Sequence, residues 1–300
     1  MRLHAFAARD VYPDFLARLA AETGIVVELN RLGILEVPAS DEDAVLLRGT
    51  QGESGEWLTN SQLEVEEPLI DGPFGALRHA HDGAVNSTLL MDALLAAAHR
   101  HPLIGMTDEL VADVQVHSDG VSVRTSGSGS MSAPTVVIAN GAWLGGFPGV
   151  PHSAHVHPLN GQLLTLAGGP LRHVCFAGGG YLAPHGDGVL VGATSDDTGI
   201  AATTTEAGRR ELLSVARRAS RALENSSVLR HWAGVRPMSR DGAPILGPDP
   251  DHPALVYACG YSRNGILFGP WAGALLAKGI STGNWPAALA PFSANRWRSS

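Results

Sequence analysis

Apolar and polar positions alternate along much of the chain in two periods, and these periods predict most of its elements. A helical spacing of apolar residues runs from Val11 to Glu22, with Gly24 as its stop signal. Val26–Leu29 and Gly33–Val37 read as short strands. A second helix is expected from Leu89 to Arg100, with Ser87 as its N-cap. Three strands follow, Leu110–His117, Val121–Thr125 and Thr135–Ala139, around a Ser/Gly-rich turn at 126–132. Further strands are predicted at Gln162–Leu166, Gly180–Leu182 and Val189–Ala193. Thr205–Leu223 is amphipathic and helical, capped by Thr204 or Thr205. Ala254–Cys259 reads as a strand, and Gly269–Lys278 as a helix with Pro270 in its first turn. Strands interleaved with helices indicate an α/β or mixed α+β fold.

Composition narrows the function classes. The 300 residues suit one large or two medium domains, because a single core stops growing at roughly 250–300 residues. Hydrophobic residues make up 44% and charged residues 17%, enough for a sizeable core. The net charge of −8 disfavours nucleic acid or an anionic membrane as the main partner. Two cysteines, Cys175 and Cys259, make no disulfide framework, so a reducing compartment is the default. No apolar run reaches the ~18 residues of a membrane span. Asp10 and Asp14 interrupt any signal-peptide pattern. The expectation is a soluble, cytoplasmic protein, with homo-oligomer formation left open.

The candidate chemistry lies near the end of the chain. Trp232-Ala233-Gly234-Val235-Arg236-Pro237, Asp241-Gly242-Ala243-Pro244-Ile245-Leu246-Gly247 and Gly260-Tyr261-Ser262-Arg263-Asn264-Gly265-Ile266-Leu267 place two arginines in apolar, glycine-rich surroundings. A guanidinium cannot be neutralised by deprotonation, so burial requires an anion or strong acceptors. Arg236 offers a bidentate fork for a small carboxylate. The plain alternative is a salt bridge to Asp241. Arg263 precedes an apolar helix whose N–H groups and dipole favour negative charge. His152, His155 and His157 have mixed spacing without a carboxylate or cysteine nearby, and read as surface or strand histidines rather than a metal site.

The order WAGVRP, DGAPILG, YSRNGIL resembles the flavin-dependent amine oxidases of the glycine oxidase and D-amino-acid oxidase family. His81–Val85, Val136–Trp143, Pro158–Gln162, Tyr181–Pro184 and Val191–Thr194 extend the likeness over most of the chain. The family's opening strand, G-x-G-x-x-G turn and ribose-gripping acid are not found among these residues. A misplaced gene start or a fragment is the expectation there, with a truncated relative that does not hold FAD as the rival. The resemblance implies FAD as cofactor. It also implies a discontinuous, N-terminally truncated Rossmann-like FAD-binding domain at 1–15, 78–151 and 237–300. An antiparallel-sheet substrate domain would occupy 16–77 and 152–236.

By the same resemblance, Arg236 and Tyr181 would hold the substrate carboxylate. Val111 would touch adenine through its backbone, and Gly141 and Trp143 would lie near the ribityl chain. Tyr261, Ser262, Arg263, Asn264, Gly265, Ile266 and Leu267 would form the flavin-facing loop. Gly179, where glycine oxidase has a histidine, would leave more room. The implied reaction oxidises a small amino acid or amine (glycine, sarcosine or a small D-amino acid) to a 2-oxo acid and ammonia, with dioxygen reduced to hydrogen peroxide. A place in thiamine synthesis is implied too. A flavin dehydrogenase or sarcosine-type oxidase is the nearer alternative.

Overall fold

A computed structural model describes residues 1–50, 52, 55–127 and 129–298. Ser128, in the turn expected at 126–132, lies outside them. In chain order the elements begin with α1 (Arg2–Asp10), α2 (Tyr12–Thr23), β1 (Leu29–Asn30), β2 (Ile34–Glu36), α3 (Asp41–Gly49), β3 (Gly55–Leu58), α4 (Asn60–Glu66), β4 (Ala76–His79) and β5 (Ala84–Val85). Then come α5 (Ser87–Arg100), β6 (Val111–His117), β7 (Gly120–Thr125), β8 (Ser130–Ala133), β9 (Val136–Ile138), β10 (Val156–Ala167), β11 (Val174–Ala177), β12 (Gly180–His185) and β13 (Gly188–Gly192). The chain closes with α6 (Glu206–Ala219), β14 (Val228–Ser239), β15 (Ile245–Pro248), β16 (Leu255–Cys259) and α7 (Gly265–Thr282).

An eight-stranded sheet in the order β14-β10-β13-β12-β11-β2-β4-β3 dominates. It is antiparallel except where β11 runs parallel to β2. One face packs Leu164, Leu166, Leu182, Val189 and Val191 against Leu212, Val215 and Ala219 of α6. The N-cap of α6 is Thr205, whose hydroxyl accepts from Gly208 N. The other face carries Leu163, Tyr181, Trp232 and Arg236. A row of paired residues crosses it, from Trp232 to Leu163, Gly192, Tyr181 and Phe176.

A three-stranded sheet, β15-β16-β9, holds a parallel pair, β9 and β16. A separate antiparallel sheet, β6-β7-β8, packs beside it through Val114 and Val121. α7 covers the first of these sheets through Phe268, Trp271, Ala272 and Leu276.

Several expectations need correction. Residues 130–133 form β8, where a turn was expected. Asn86, not Ser87, caps α5, accepting from Leu89 N at 3.1 Å. The helix expected from Val11 starts at Tyr12, and α1 precedes it. α6 ends at Ala219, and residues 221–223 make a separate 3₁₀ turn. α7 starts at Gly265, so Pro270 lies inside it rather than in its first turn. A proline there leaves the carbonyl four residues earlier without its donor. That carbonyl, of Ile266, accepts instead from the hydroxyl of Tyr12. The strand expected at 26–29 shrinks to Leu29–Asn30.

Candidate functional site

β14 and the loop after β16 bring the two arginines together. Ser262 N donates to the Pro237 carbonyl at 2.9 Å, and Met238 bridges to Tyr261. Ser262 reaches this position with a left-handed φ of 56°, a conformation uncommon outside glycine. Its buried hydroxyl accepts from Ser239 N at 3.1 Å.

Arg236 lies over the sheet on the floor made by Gly161, where a Cβ would overlap its guanidinium. Its Nη1 donates to the Thr194 carbonyl at 3.1 Å and to the Asn160 carbonyl at 3.4 Å. Nη2 and Nε have no hydrogen bond, and Arg236 no ion pair, among the described residues. Burial first, then the neighbouring Arg263 cation, pushes its pKa down, while Tyr181 and Asp196 act the other way. The expected alternative partner is taken. Asp241 accepts from Arg296 at 2.6 and 3.1 Å.

Arg263 Nη2 donates to Ser195 Oγ at 2.8 Å. Tyr181 sits across from Gly192, its ring over the space a Cβ there would need. Burial raises its pKa, and the charges of Arg236 and Arg263 oppose the rise. A neutral phenol and two cations therefore face one another, with Asp196 as a nearby anion. This arrangement can bind a small carboxylate through charge-assisted hydrogen bonds.

The flavin-side candidates gather by topology. β9 and β16 run parallel, Tyr257 paired with Ile138. Their carboxyl ends therefore open side by side into the 141–144 turn and the 260–264 loop. Ligands of open α/β sheets bind at such ends. Gly141 takes φ 59° there, and the preceding Asn140 keeps a shielded, unpartnered Oδ1. Asn264 is the N-cap residue of α7, whose first-turn N–H groups lack helical acceptors. Arg263, Ile266 and Leu267 line a cavity of about 470 Å³ with Arg9, Arg31 and His81. Trp143 is 67% exposed. Val111 starts β6, half-buried and paired with Thr125.

Other expectations change. Gly179 sits in the β11–β12 turn beside Arg218. The open space next to Tyr181 is a cavity of about 830 Å³ lined by Leu163, Ala183, Leu190, His185 and Trp232. His152 and His155 stack on each other at 5.6 Å, and His155 stacks on Trp297 at 4.2 Å. They form a half-buried aromatic stack, while His157 is exposed on β10. Among the described residues no group of three metal-ligating side chains forms. Cys175 and Cys259 are free and buried, and burial pushes the Cys259 thiol up to about 12. No described helix is long and apolar enough to cross a membrane.

Residues 2–278 match the profile of a family described as FAD dependent oxidoreductase (DAO). The chain belongs to the FAD-dependent oxidoreductase family. Glycine oxidase of Geobacillus kaustophilus is 33% identical across 97% of this chain and 81% of that protein. Its crystal structure superposes with a TM-score of 0.86, at 30% identity over 96% of this chain and 81% of that one. Hydrogen cyanide synthase subunit HcnC of Pseudomonas aeruginosa is 29% identical over 98% of this chain and 74% of its own length. The bifunctional protein ThiO/ThiG of Trichormus variabilis is 31% identical, and the chain spans 43% of it.

This FAD-dependent oxidoreductase therefore works with FAD as cofactor. The residues present suit a flavin: a helix N-terminus with free N–H groups, a flanking guanidinium, an adjoining cavity and the unpartnered Asn140 oxygen. Sequence reasoning quoted Gln162 and Thr194 only as carriers of the resemblance. It missed Ser195 and Asp196, which lie in a segment with no periodic or motif signal.

Proposed function

We propose that the chain is an FAD-dependent amino-acid oxidase. It oxidises a small amino acid or amine (glycine, sarcosine or a small D-amino acid) to a 2-oxo acid, with ammonia or the matching amine and hydrogen peroxide. The carrying observation is the half-buried, unpaired guanidinium of Arg236 facing Tyr181 and Arg263. Bound FAD would supply the two-electron acceptor, with dioxygen as the final oxidant. Arg236 grips the substrate carboxylate with its free Nη2 and Nε. The Tyr181 hydroxyl, protonated as any phenol is near neutral pH, donates to the same carboxylate. With that end fixed, the Cα–H is aimed rather than left to tumble, which is the largest part the protein plays.

Asn264 and Gly265 offer donors to the flavin pyrimidine edge. The α7 dipole favours the negative charge that builds there. In this reading Arg263, Tyr261, Ser262, Ile266 and Leu267 form the flavin-side wall. Gly141 and Trp143 lie toward the ribityl chain, and Val111 toward adenine. The FAD-binding domain takes 1–15, 78–151 and 237–300, and the substrate domain 16–77 and 152–236. Likeness to glycine oxidase and to a ThiO/ThiG protein supports a cytoplasmic role in thiamine synthesis.

The test is oxygen uptake and peroxide release by FAD-supplied protein with glycine, sarcosine and D-alanine. Turnover of at least one, giving peroxide and a 2-oxo acid, supports the reading. A protein that stays colourless with FAD and consumes no oxygen sinks it. A second reading is a dehydrogenase or sarcosine-type oxidase; the cavity of about 830 Å³ beside Tyr181 leaves room for a substrate larger than glycine. Anaerobic dye reduction without aerobic peroxide would select the dehydrogenase.

A further inference from the structure

The segment after β13 bears no catalytic motif, yet its first residues touch both arginines. Arg236 Nη1 donates to the Thr194 carbonyl, and Arg263 Nη2 to the hydroxyl of the adjacent Ser195. Neither acceptor carries charge, so the charge of each guanidinium stays unbalanced by them. What they do is fix its direction.

The turn is itself held by buried groups of β10. Gln162 is 1% exposed; its backbone N–H donates to Thr194 Oγ1 at 2.9 Å. Its side-chain Nε2 donates to Asp196 Oδ2 at 2.9 Å, and its Oε1 accepts from Thr205 N at the start of α6. The Thr194 hydroxyl donates to the same Asp196 Oδ2 at 2.6 Å. Asn160 and Asp196 exchange both backbone hydrogen bonds at 2.9 Å. One carboxylate oxygen thus joins the two side chains that shape the turn.

We propose that Asp196 is a positioning residue: through Thr194 and Gln162 it fixes the turn that aims Arg236 and Arg263 at one carboxylate. This rests on the carboxylate-holding role given to Arg236 above. Removing the Asp196 side chain frees the Thr194 hydroxyl and the Gln162 amide, and the turn loses its shared acceptor.

The test titrates acetate, a carboxylate with no amine to oxidise, calorimetrically into FAD-supplied wild type, Asp196→Ala, Asp196→Asn and Arg236→Ala. KM and kcat are measured beside it with the best substrate. Asp196→Ala is expected to weaken acetate at least tenfold and to raise KM in step, with kcat at saturation within threefold. Asp196→Asn keeps an oxygen acceptor and is expected to return within threefold of wild type. Should Asp196→Ala not fold, Thr194→Val removes only the hydroxyl and carries the same expectation. Unchanged acetate affinity, a loss confined to melting temperature, or an Asn variant as weak as Ala overturns the proposal. Wild type that binds acetate but oxidises no amine sinks the substrate reading alone, and the acetate series still judges Asp196. Absent acetate binding, or binding untouched by Arg236→Ala, overturns both.

Discussion

The backbone N–H of Ser262 donates to the carbonyl of Pro237 at 2.9 Å. This one bond, with the neighbouring bridge between Met238 and Tyr261, ties the loop after β16 to the end of β14. It is why a residue on a strand of the eight-stranded sheet and a residue at the head of α7 share one turn. Pro237 suits the place. It lacks an N–H but offers its carbonyl, and β14 is an edge strand, where proline is tolerated.

Replacing Arg236 with Ala should cost about 2–5 kcal/mol in kcat/KM, as expected for loss of one partner of a desolvated charge pair. Most of it should fall on KM. Arg236→Lys should rescue little, because an ammonium cannot reproduce the planar fork. Steady-state oxygen uptake measures both, and unchanged kinetics in the Ala variant would remove Arg236 from the site.

Gly161→Ala tests the floor beneath that side chain. The added methyl would overlap the Arg236 guanidinium, the movable end of a long side chain, rather than backbone. The variant should fold with a melting temperature near wild type while KM rises by roughly tenfold or more, since a displaced donor forfeits a charge-assisted bond of about 1.5–3 kcal/mol. Equal KM values would mean that Arg236 does not work from its present position.

Asp241 belongs to a different task. Burial alone would raise its pKa, but the Arg296 hydrogen bond and the Ala243 N–H outweigh burial and hold it below the usual range. Stability from this pair is present above the ordinary carboxylate value and lost as pH falls through the depressed one. Asp241→Asn should lower stability by about 0.5–1 kcal/mol, since solvent screens this partly exposed pair, and leave KM unchanged. Denaturant unfolding and substrate kinetics on one preparation separate the two.

Alkali should unfold the chain by a defined route. Burial raises Cys259 from 9.0 and Tyr12 from 10.0, each to about 12. Both hold their protons longer when folded, so their contribution is whole below the ordinary values and lost as pH rises toward 12. Each group should cost on the order of 1.4 kcal/mol per pH unit in that window. Urea midpoints at pH 8, 9.5 and 11 read it, and a Cys259→Ala variant should show a shallower fall.

Much of the scaffold was legible because it obeys a local rule. α2, α5 and α6 carry apolar residues at helical spacing, β7 and β13 carry repeated β-branched residues, and β16 is a short apolar run. α2 even announces its end, since Gly24 adopts φ 75° there. β14 was not legible as a strand: Gly234, Arg236 and Pro237 erase alternation, and pairing with β10 along its whole length overrides that. β10 was read as five residues instead of twelve for the same reason, with Pro158 and Gly161 inside it.

By itself the sequence determined the family, the cofactor class and the two arginines worth watching, because the glycine-rich motifs that carry the resemblance, and the arginines inside them, are visible one residue at a time. Only tertiary structure decided that Asp241 serves Arg296, that Arg236 is left unpaired, and that Thr194, Ser195 and Asp196 stand between the arginines. Those outcomes depend on which side chains reach one another across paired strands. A contact made through space between β10, β13, β14 and the loop before α7 leaves no spacing along the chain to read.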